Sequence, residues 1–168
     1  GVEGMTIWKY GKDASLNGEA ASDYSFEGST VTFKNITLVD NYTVNSYYRG
    51  FVRAAGLTFE KCTFKNMMGY LGVGDVHFTN CVFDVASVCE YAVKTYSGAK
   101  FYFDGCTFKG NNKANLQLYI QDASETVHKV QVKDCKFYRG SDKSRTAVYY
   151  YEQGTTEGGI WEIHLDGN

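Results

Sequence analysis

Hydrophobic and polar residues alternate with a period of two along several short stretches of this chain, and each stretch slips by one residue at the same point. In the stretch from 57 to 65, positions 57, 59, 62 and 64 are apolar, whereas positions 58, 60, 63 and 65 are polar. Alternation of this kind predicts a β-strand, and a slip of one residue would reverse the buried face. The chain must bend at the slip to keep both halves directed at one core, so each stretch predicts two short strands that meet at a corner.

The same six-residue phrase occurs six times along the chain. The copies are VTFKNI (31–36), LTFEKC (57–62), VHFTNC (76–81), FYFDGC (101–106), VQVKDC (130–135) and IHLDGN (163–168). Their last residues are separated by 26, 19, 25, 29 and 33 residues. Self-similarity in this range predicts stacked repeats, and the irregular spacing favours a β-solenoid, in which the strands are constant and the loops vary.

The corner and the segment that follows it complete one coil. In five copies the corner residue is a type that tolerates left-handed backbone or bonds its own backbone, and Lys61 is the exception. A third strand is predicted after each pair of strands, at 50–54, 70–73, 91–95, 116–120 and 147–151. Three strands per coil, stacked in parallel about 4.8 Å apart, predict an all-β fold. Together with the six repeated phrases, these strands predict a single right-handed parallel β-helix, or β-solenoid, of about five to six coils.

The chain divides into two parts at residue 30. Residues 1–30 are predicted to form an N-terminal cap or incomplete first coil, with a strand of a preceding coil or cap at 5–10. Residues 31–168 form the parallel β-helix. Because a solenoid normally has a polar capping repeat at each end and none follows the last phrase, we expect truncation at the C-terminus and other domains in a longer chain.

Composition excludes some classes of partner. The chain has 168 residues, of which 43% are hydrophobic and 21% charged, as expected for one folded domain. A net charge of -2 without a Lys/Arg cluster predicts no nucleic-acid partner. No apolar run approaches the roughly 20 residues of a membrane helix, so we expect no membrane insertion.

Four of the five cysteines occupy the last position of a phrase, where they are predicted to form a column of buried, reduced thiols. Parallel Cβ atoms about 4.8 Å apart exceed the usual disulfide separation near 3.8 Å. The chain has no Cys-x-x-Cys pair and no cluster of acidic residues on neighbouring coils. The sequence therefore predicts neither a metal site nor a cofactor.

The phrases also resemble a known family. Sequences of the type Val-Thr-Phe-x-Asn-Cys-x-Phe are similar to right-handed parallel β-helix proteins of pectate-lyase-like topology. Longer runs, such as 91–99 and 103–108, resemble repeat modules of large surface proteins of gut bacteria. The resemblance implies the fold and an extracellular or cell-surface location. It implies no activity, because the Asn-Thr-Asp, Gly-His-Gly and Arg-Ile-Lys strings of polygalacturonases are absent from this chain.

One outward column of the phrases carries charge, and its members are Lys34, Glu60, Thr79, Asp104, Lys133 and Asp166. Glycosidases need two carboxyl groups about 5–5.5 or 6.5–9.5 Å apart, and Glu60 and Asp104 lie two coils, or about 9.6 Å, apart. Opposite charges on adjacent strands instead predict ordinary ion pairs. We therefore predict no catalytic residues. If the chain is an enzyme, the residues to test first are Glu60, Asp104, Lys94 and Arg53.

The three histidines are predicted to lie at the surface. His77 and His164 align on the outward face, but they belong to the third and sixth phrases and are too far apart to act together. His128 falls in a predicted loop. Because no Ser or Cys nucleophile is placed beside any of them, none is predicted to be catalytic.

The third strands carry the candidate ligand-binding residues. If Val52, Leu71 and Val93 face inward, their neighbours form an outward strip of aromatic and long polar side chains. Aromatic faces stack on sugar rings, and Arg, Lys and Gln bond to hydroxyl or carboxylate groups. The alternative is that these tyrosines are present because tyrosine favours β-strands and its hydroxyl group can remain in contact with water. The candidates are Tyr48, Arg53, Tyr70, Lys94, Tyr96, Tyr119, Gln121, Tyr149 and Tyr151.

These patterns favour a non-catalytic carbohydrate-binding or adhesive display module of a bacterial surface or secreted protein, with a polysaccharide or host glycan as partner. The alternatives are a polysaccharide lyase or glycoside hydrolase of the pectate-lyase type, and a structural spacer. An enzyme needs an acid and a base around one scissile bond, a binder needs only the aromatic strip, and a spacer needs neither.

Overall fold

The structure of the chain is a computed structural model. It describes residues 6–10, 15–16, 19–20, 23–40, 50–65, 69–71, 73–85, 90–95, 100–110, 113–120, 127–138, 146–152 and 160–168. The strands in the first half of the chain are β1 (Thr6–Tyr10), β2 (Ser15–Leu16), β3 (Glu19–Ala20), β4 (Asp23–Ser25), β5 (Thr30–Lys34), β6 (Ile36–Asp40), β7 (Gly50–Val52), β8 (Gly56–Glu60), β9 (Thr63–Phe64) and β10 (Gly69–Leu71). Those in the second half are β11 (Asp75–Thr79), β12 (Val82–Asp84), β13 (Tyr91–Lys94), β14 (Lys100–Asp104), β15 (Thr107–Lys109), β16 (Ala114–Ile120), β17 (Val127–Lys133), β18 (Lys136–Phe137), β19 (Thr146–Glu152) and β20 (Ile160–Asp166).

The strands form the sides of a coil that is repeated along the molecule. The first sheet has the order β5-β8-β11-β14-β17-β20, and the second sheet has the order β1-β6-β9-β12-β15-β18. The third side consists of two shorter sheets, β4-β7-β10 and β13-β16-β19. All of these pairings are parallel, whereas the short β2–β3 pair is antiparallel. The predicted all-β fold with three strands per coil is confirmed.

Alternation with a period of two determines which residues fill the coil. Along β11, Val76 and Phe78 are buried, whereas Asp75, His77 and Thr79 are exposed. The parallel register repeats this arrangement in the neighbouring strands, because each strand places its residues at the same positions as the last.

Aromatic rings stack along the interior as the phrases predict. The Phe78 ring lies 5.1 Å from that of Phe59 and 4.9 Å from that of Phe103, at interplanar angles of 10° and 4°. In the second sheet, Phe83 stacks between Phe64 and Phe108 at 4.8 and 4.7 Å. Each fully buried ring contributes about 1.5–3 kcal/mol of burial free energy, so the two stacks dominate the core.

The corner between the first two strands has left-handed backbone in all six phrases, with φ from 52° to 65° at residues 35, 61, 80, 105, 134 and 167. The corner amides continue the ladder between coils; for example, the Asn80 N–H donates to the Asp104 carbonyl at 2.8 Å. Lys61, the exception in the sequence, also adopts φ 52°. The stack therefore imposes this conformation on a residue for which it costs about 1–2 kcal/mol.

The predicted column of reduced thiols is also confirmed, because Cys62, Cys81, Cys106 and Cys135 are free and buried. The Cys81 Sγ donates to the Phe59 carbonyl of the preceding coil at 3.3 Å, and Cys62 and Cys106 make the equivalent bond. Asn168 takes this position in the last phrase. Its Nδ2 donates to the Val132 carbonyl at 3.0 Å, and its Oδ1 accepts the Cys135 N–H at 2.9 Å.

We expect the four described thiols to be inert in the native protein. The Cys135 thiol acts to lower the pKa of Cys106, but the contact with Cys81 and burial outweigh it and raise that pKa to about 12. Hydrogen bonding from Cys81 lowers the pKa of Cys62 to about 7, yet Cys62 is only 1% exposed. An aromatic disulfide reagent at pH 8 should therefore modify at most one thiol quickly, that of Cys89, which lies outside the described residues. After unfolding without reductant, the reagent should modify all five thiols. Two or more fast native thiols would contradict the burial of the column.

The N-terminal strand belongs to the stack. β1 pairs in parallel with β6, with Trp8 in register with Leu38, so the strand predicted at 5–10 is a strand of a preceding coil. The domain boundary at residue 30 stays a prediction.

Candidate functional site

The strip predicted on the third strands is not an exposed surface at Tyr70. This side chain is 1% exposed, and its ring lies 5.9 Å from Phe51 and 5.7 Å from Phe78. β7 and β10 place Phe51 and Tyr70 at the same register position, and both rings pack into the interior. The prediction that Val52 and Leu71 alternate with outward aromatic residues is therefore wrong, because Phe51 and Tyr70 are the residues that fill the core.

Lys94 and Tyr119 are also buried, at 7% and 2% exposure. The Lys94 Nζ lies 3.8 Å from the centroid of the Tyr119 ring, a cation–π contact that burial strengthens. Desolvation by burial lowers the pKa of Lys94 to about 8. Gln117, in register with Lys94, is 3% exposed. Here too the prediction of an exposed strip is wrong: both faces of β13 and β16 are covered.

The other candidates of the strip have mixed outcomes. Arg53 is exposed and follows β7 at φ 58°. Tyr149 is half-buried and stacks on Tyr91 at a centroid distance of 6.3 Å. Tyr151 is in register with Tyr119 on β16. Whether these residues bind a ligand stays a prediction. Three candidates lie outside the described residues: Tyr48, Tyr96 and Gln121.

The residues proposed for testing in an enzyme lie on different parts of the molecule. Glu60 is paired with Lys34 at 2.8 Å between Oε2 and Nζ, as the charge alternation predicts. Thr79 separates Glu60 from Asp104 in the register of the first sheet. Lys94 belongs to β13 on the third side, and Arg53 lies in the turn before β8. The fold thus keeps Glu60 and Asp104 two strands apart and places the two cations elsewhere.

The histidines differ from one another. His77 and His164 are exposed, as predicted. His128 lies in β17 and is fully buried, so its prediction as a surface loop residue is wrong. The seven-residue strand extends three residues before the phrase, and burial lowers the pKa of His128.

The outward face of the first sheet carries a row of polar and aromatic side chains that crosses the strands in register. The His77 and Tyr102 rings stack at 4.3 Å with an interplanar angle of 5°. Tyr102 is next to Gln131, and Gln131 is next to His164. The row is Thr32, Thr58, His77, Tyr102, Gln131 and His164.

A shallow cleft of about 200 Å³ lies between this row and the charged column, lined by His77, Phe78, Thr79, Tyr102, Phe103, Asp104 and Gln131. Two of the lining residues, Phe78 and Phe103, are core residues at 1% exposure. The others offer an imidazole, a phenol, a hydroxyl, an amide and a carboxylate. Together these groups can both donate and accept hydrogen bonds. The cleft is therefore suited to a ligand that presents several hydroxyl groups.

Sequence reasoning missed Tyr102 and Gln131 as site residues. The signal that could have found them is the second position of the phrase, which alternation places outward next to the charged column. Only the register brings the two rings of adjacent phrases into contact.

Comparison with protein families agrees with this geometry. The family described as "Right handed beta helix region" matches residues 10–160. The chain belongs to the right-handed β-helix family. No curated protein and no solved structure matches the chain significantly. Membership confirms the fold and the handedness of the coils, and it leaves function to the site.

The described part of this β-helix contains neither a metal-binding cluster nor a membrane-spanning helix. No group of three or more His, Cys, Asp or Glu residues there could hold a metal ion. The same residues include no helix of the length and hydrophobicity needed to cross a membrane.

Proposed function

We propose that this β-helix is a non-catalytic carbohydrate-binding module of a bacterial surface or secreted protein, and that it holds a glycan in the cleft of the first sheet. The observation that carries the proposal is the stacked His77–Tyr102 pair beside Thr79, Asp104 and Gln131. The extracellular location rests on the resemblance to surface proteins.

The chemistry of the cleft supports a sugar ligand. Sugar hydroxyls act as donors and acceptors, so a carboxylate, an amide and a phenol can each engage one. Because His77 and Tyr102 stack on each other, the two ring faces that meet are occupied by that contact. Recognition therefore depends more on hydrogen bonds than on a ring platform. The regular rise of about 4.8 Å per coil suits an extended, repeating ligand.

The arrangement of carboxylates favours binding over hydrolysis. Along the charged column, carboxylates do not occupy adjacent strands among the described residues: Thr79 lies between Glu60 and Asp104, and Lys133 between Asp104 and Asp166. Glu60 is held by Lys34. A hydrolase needs one carboxyl as acid and a second as base or nucleophile around one bond.

The proposal predicts that Tyr102→Ala weakens glycan binding about fivefold or more. The substitution removes a ring contact and a phenol, each worth about 0.5–1.5 kcal/mol, and 1.4 kcal/mol is tenfold in Kd. A glycan array identifies the ligand, and calorimetry with that glycan measures the affinity. Asp104→Asn should also weaken binding.

Tyr138→Ala is the matched control, because Tyr138 is a 54% exposed tyrosine outside the cleft. It should leave the affinity unchanged. Equal binding by the Tyr102 variant and the native chain would refute the cleft as the site. Release of sugars or unsaturated ends from a polysaccharide panel would instead support the enzyme alternative, and a panel without binding or cleavage would support the spacer.

A further inference from the structure

The cleft of the first sheet carries a negative charge that no lysine neutralises. Asp104 is the one carboxylate among the described residues that line the cleft, and none of these lining residues is Lys or Arg. Two other outward carboxylates of this sheet are paired, Glu60 with Lys34 at 2.8 Å and Glu162 with Lys129 at 3.6 Å. In the part of the chain that the structure describes, no such ion pair includes Asp104. Its charge is therefore available to a ligand.

The lysine next to Asp104 in the register does not occupy this carboxylate. Lys133 of β17 is the register partner of Asp104, but its Nζ lies 3.9 Å from the Asp134 Oδ2. Lys133 is not among the described residues that line the cleft. The register partner of Asp104 on the other side is Thr79, which is uncharged. A cationic group that enters the cleft thus meets the carboxylate without displacing a lysine from it.

The groups beside Asp104 suit an ammonium group. Asp104 and Tyr102 are alternate residues of β14, so they share its outward face about 6.6 Å apart along the strand. Gln131 is the register partner of Tyr102 on the side away from His77, and the second face of the Tyr102 ring is directed to that side. An ammonium group has three donors and no acceptor, so a carboxylate, an amide oxygen and an aromatic face can each bind it. An acidic sugar would instead bring a second carboxylate close to Asp104, which is unfavourable.

We propose that the glycan held in this cleft carries unsubstituted amino groups, as in a polysaccharide that contains glucosamine, and that Asp104 selects for them. The inference rests on the proposed glycan binding and names the class of sugar. The ammonium of one sugar unit lies between the Asp104 carboxylate and the second face of Tyr102, and it donates a hydrogen bond to the Gln131 amide oxygen. N-acetylation removes the charge that this arrangement recognises, and a uronic acid carries the opposite charge.

The test compares three oligosaccharides of equal length by calorimetry: oligomers of glucosamine, of N-acetylglucosamine and of galacturonic acid. The pH is one at which the glucosamine amines are protonated. We expect the free amine to bind about fivefold more tightly than the acetylated form, because a solvent-exposed ion pair and a cation–π contact both contribute. The galacturonic acid oligomer should bind most weakly. Salt at about 1 M should reduce the preference for the free amine, since the Debye length then falls to about 3 Å.

Asp104→Asn keeps the size of the side chain and removes its charge. The preference for the free amine should then fall to about twofold or less, because the ion pair is lost. Asp75→Asn is the matched control, since Asp75 is exposed on the same sheet, lies outside the described lining of the cleft and contributes the same charge to the chain. It should keep the preference of the native chain. Unchanged circular dichroism shows that each variant is folded.

The outcomes separate the sugar class from the site. Selection by Asp104 is overturned if the glucosamine oligomer does not bind, if it binds no better than its acetylated form, or if Asp104→Asn and Asp75→Asn affect the preference equally. If a glycan still binds in those cases and Tyr102→Ala weakens its binding, the cleft remains the glycan site and only the sugar class is wrong. If Tyr102→Ala leaves the affinity for every bound glycan unchanged, the cleft is not the site and both proposals fail.

Discussion

Replacing Phe78 with Ala should lower the free energy of unfolding by about 3–5 kcal/mol. The Phe78 ring is 1% exposed and lies within 5.3 Å of three other rings, at 5.1 Å from Phe59, 5.2 Å from Phe83 and 4.9 Å from Phe103. The stacked rings above and below are held by their own coils, so they cannot close the space. Since domains of this size are stable by about 5–15 kcal/mol, the loss is a large part of the total.

The matched control is Phe137→Ala. Phe137 is half-buried at the end of its stack, where it contacts Phe108 at 4.8 Å. We expect a loss of about 1–2 kcal/mol, because less apolar area leaves water on folding. Urea unfolding monitored by circular dichroism measures both variants. Equal losses for the two would show that the interior stack does not carry the stability assigned to it.

Gly110→Ala should destabilise the chain by about 2–5 kcal/mol. Gly110 has φ 89°, and a Cβ there would overlap the backbone carbonyl oxygen of Val85 in the preceding coil. The left-handed conformation costs alanine about 1–2 kcal/mol, and relieving the overlap costs about 1–3 kcal/mol more, because a backbone atom must move.

Gly28→Ala separates these two contributions. Gly28 has φ 67°, but a Cβ there meets nothing within 4 Å, so the variant should lose only the conformational cost of about 1–2 kcal/mol. Thermal unfolding of both variants at one pH gives the comparison. Similar melting temperatures for the two variants would mean that the backbone at Val85 moves at little cost in free energy to make room for the added methyl group.

The candidate cleft depends on the same core that these variants test. Phe78 and Phe103 stack on the inner side of β11 and β14, directly between the outward residues that line the cleft. Because alternate residues of a strand point to opposite faces, the ring stack fixes the spacing of His77, Thr79, Tyr102 and Asp104. If the cleft binds a glycan as proposed, Phe78→Ala should therefore also lower the affinity for it, although the outward residues of the cleft are unchanged.

The sequence by itself determined the coil. Alternation with one slip predicts two strands and a corner, and six repeats of it predict the stack, because a slip of one residue leaves no other way to keep both halves in one core. The inward positions of Phe59, Phe83 and Cys106 follow directly. Even the conformation of Lys61, whose residue type gives no signal, follows from its place in the repeat.

The tertiary structure alone decided the third side and the cleft. The three-residue strands β7 and β10 are too short for alternation to fix their inward face, so Phe51 and Tyr70 were assigned to the wrong side. Lys94 and Tyr119 are buried because both faces of their strands are covered, which a pattern along one strand does not encode. The His77–Tyr102 contact joins residues 25 positions apart and exists only because the parallel register sets them side by side. Periodicity specifies the face of a strand locally, whereas contacts between coils depend on loop lengths and on what covers each sheet.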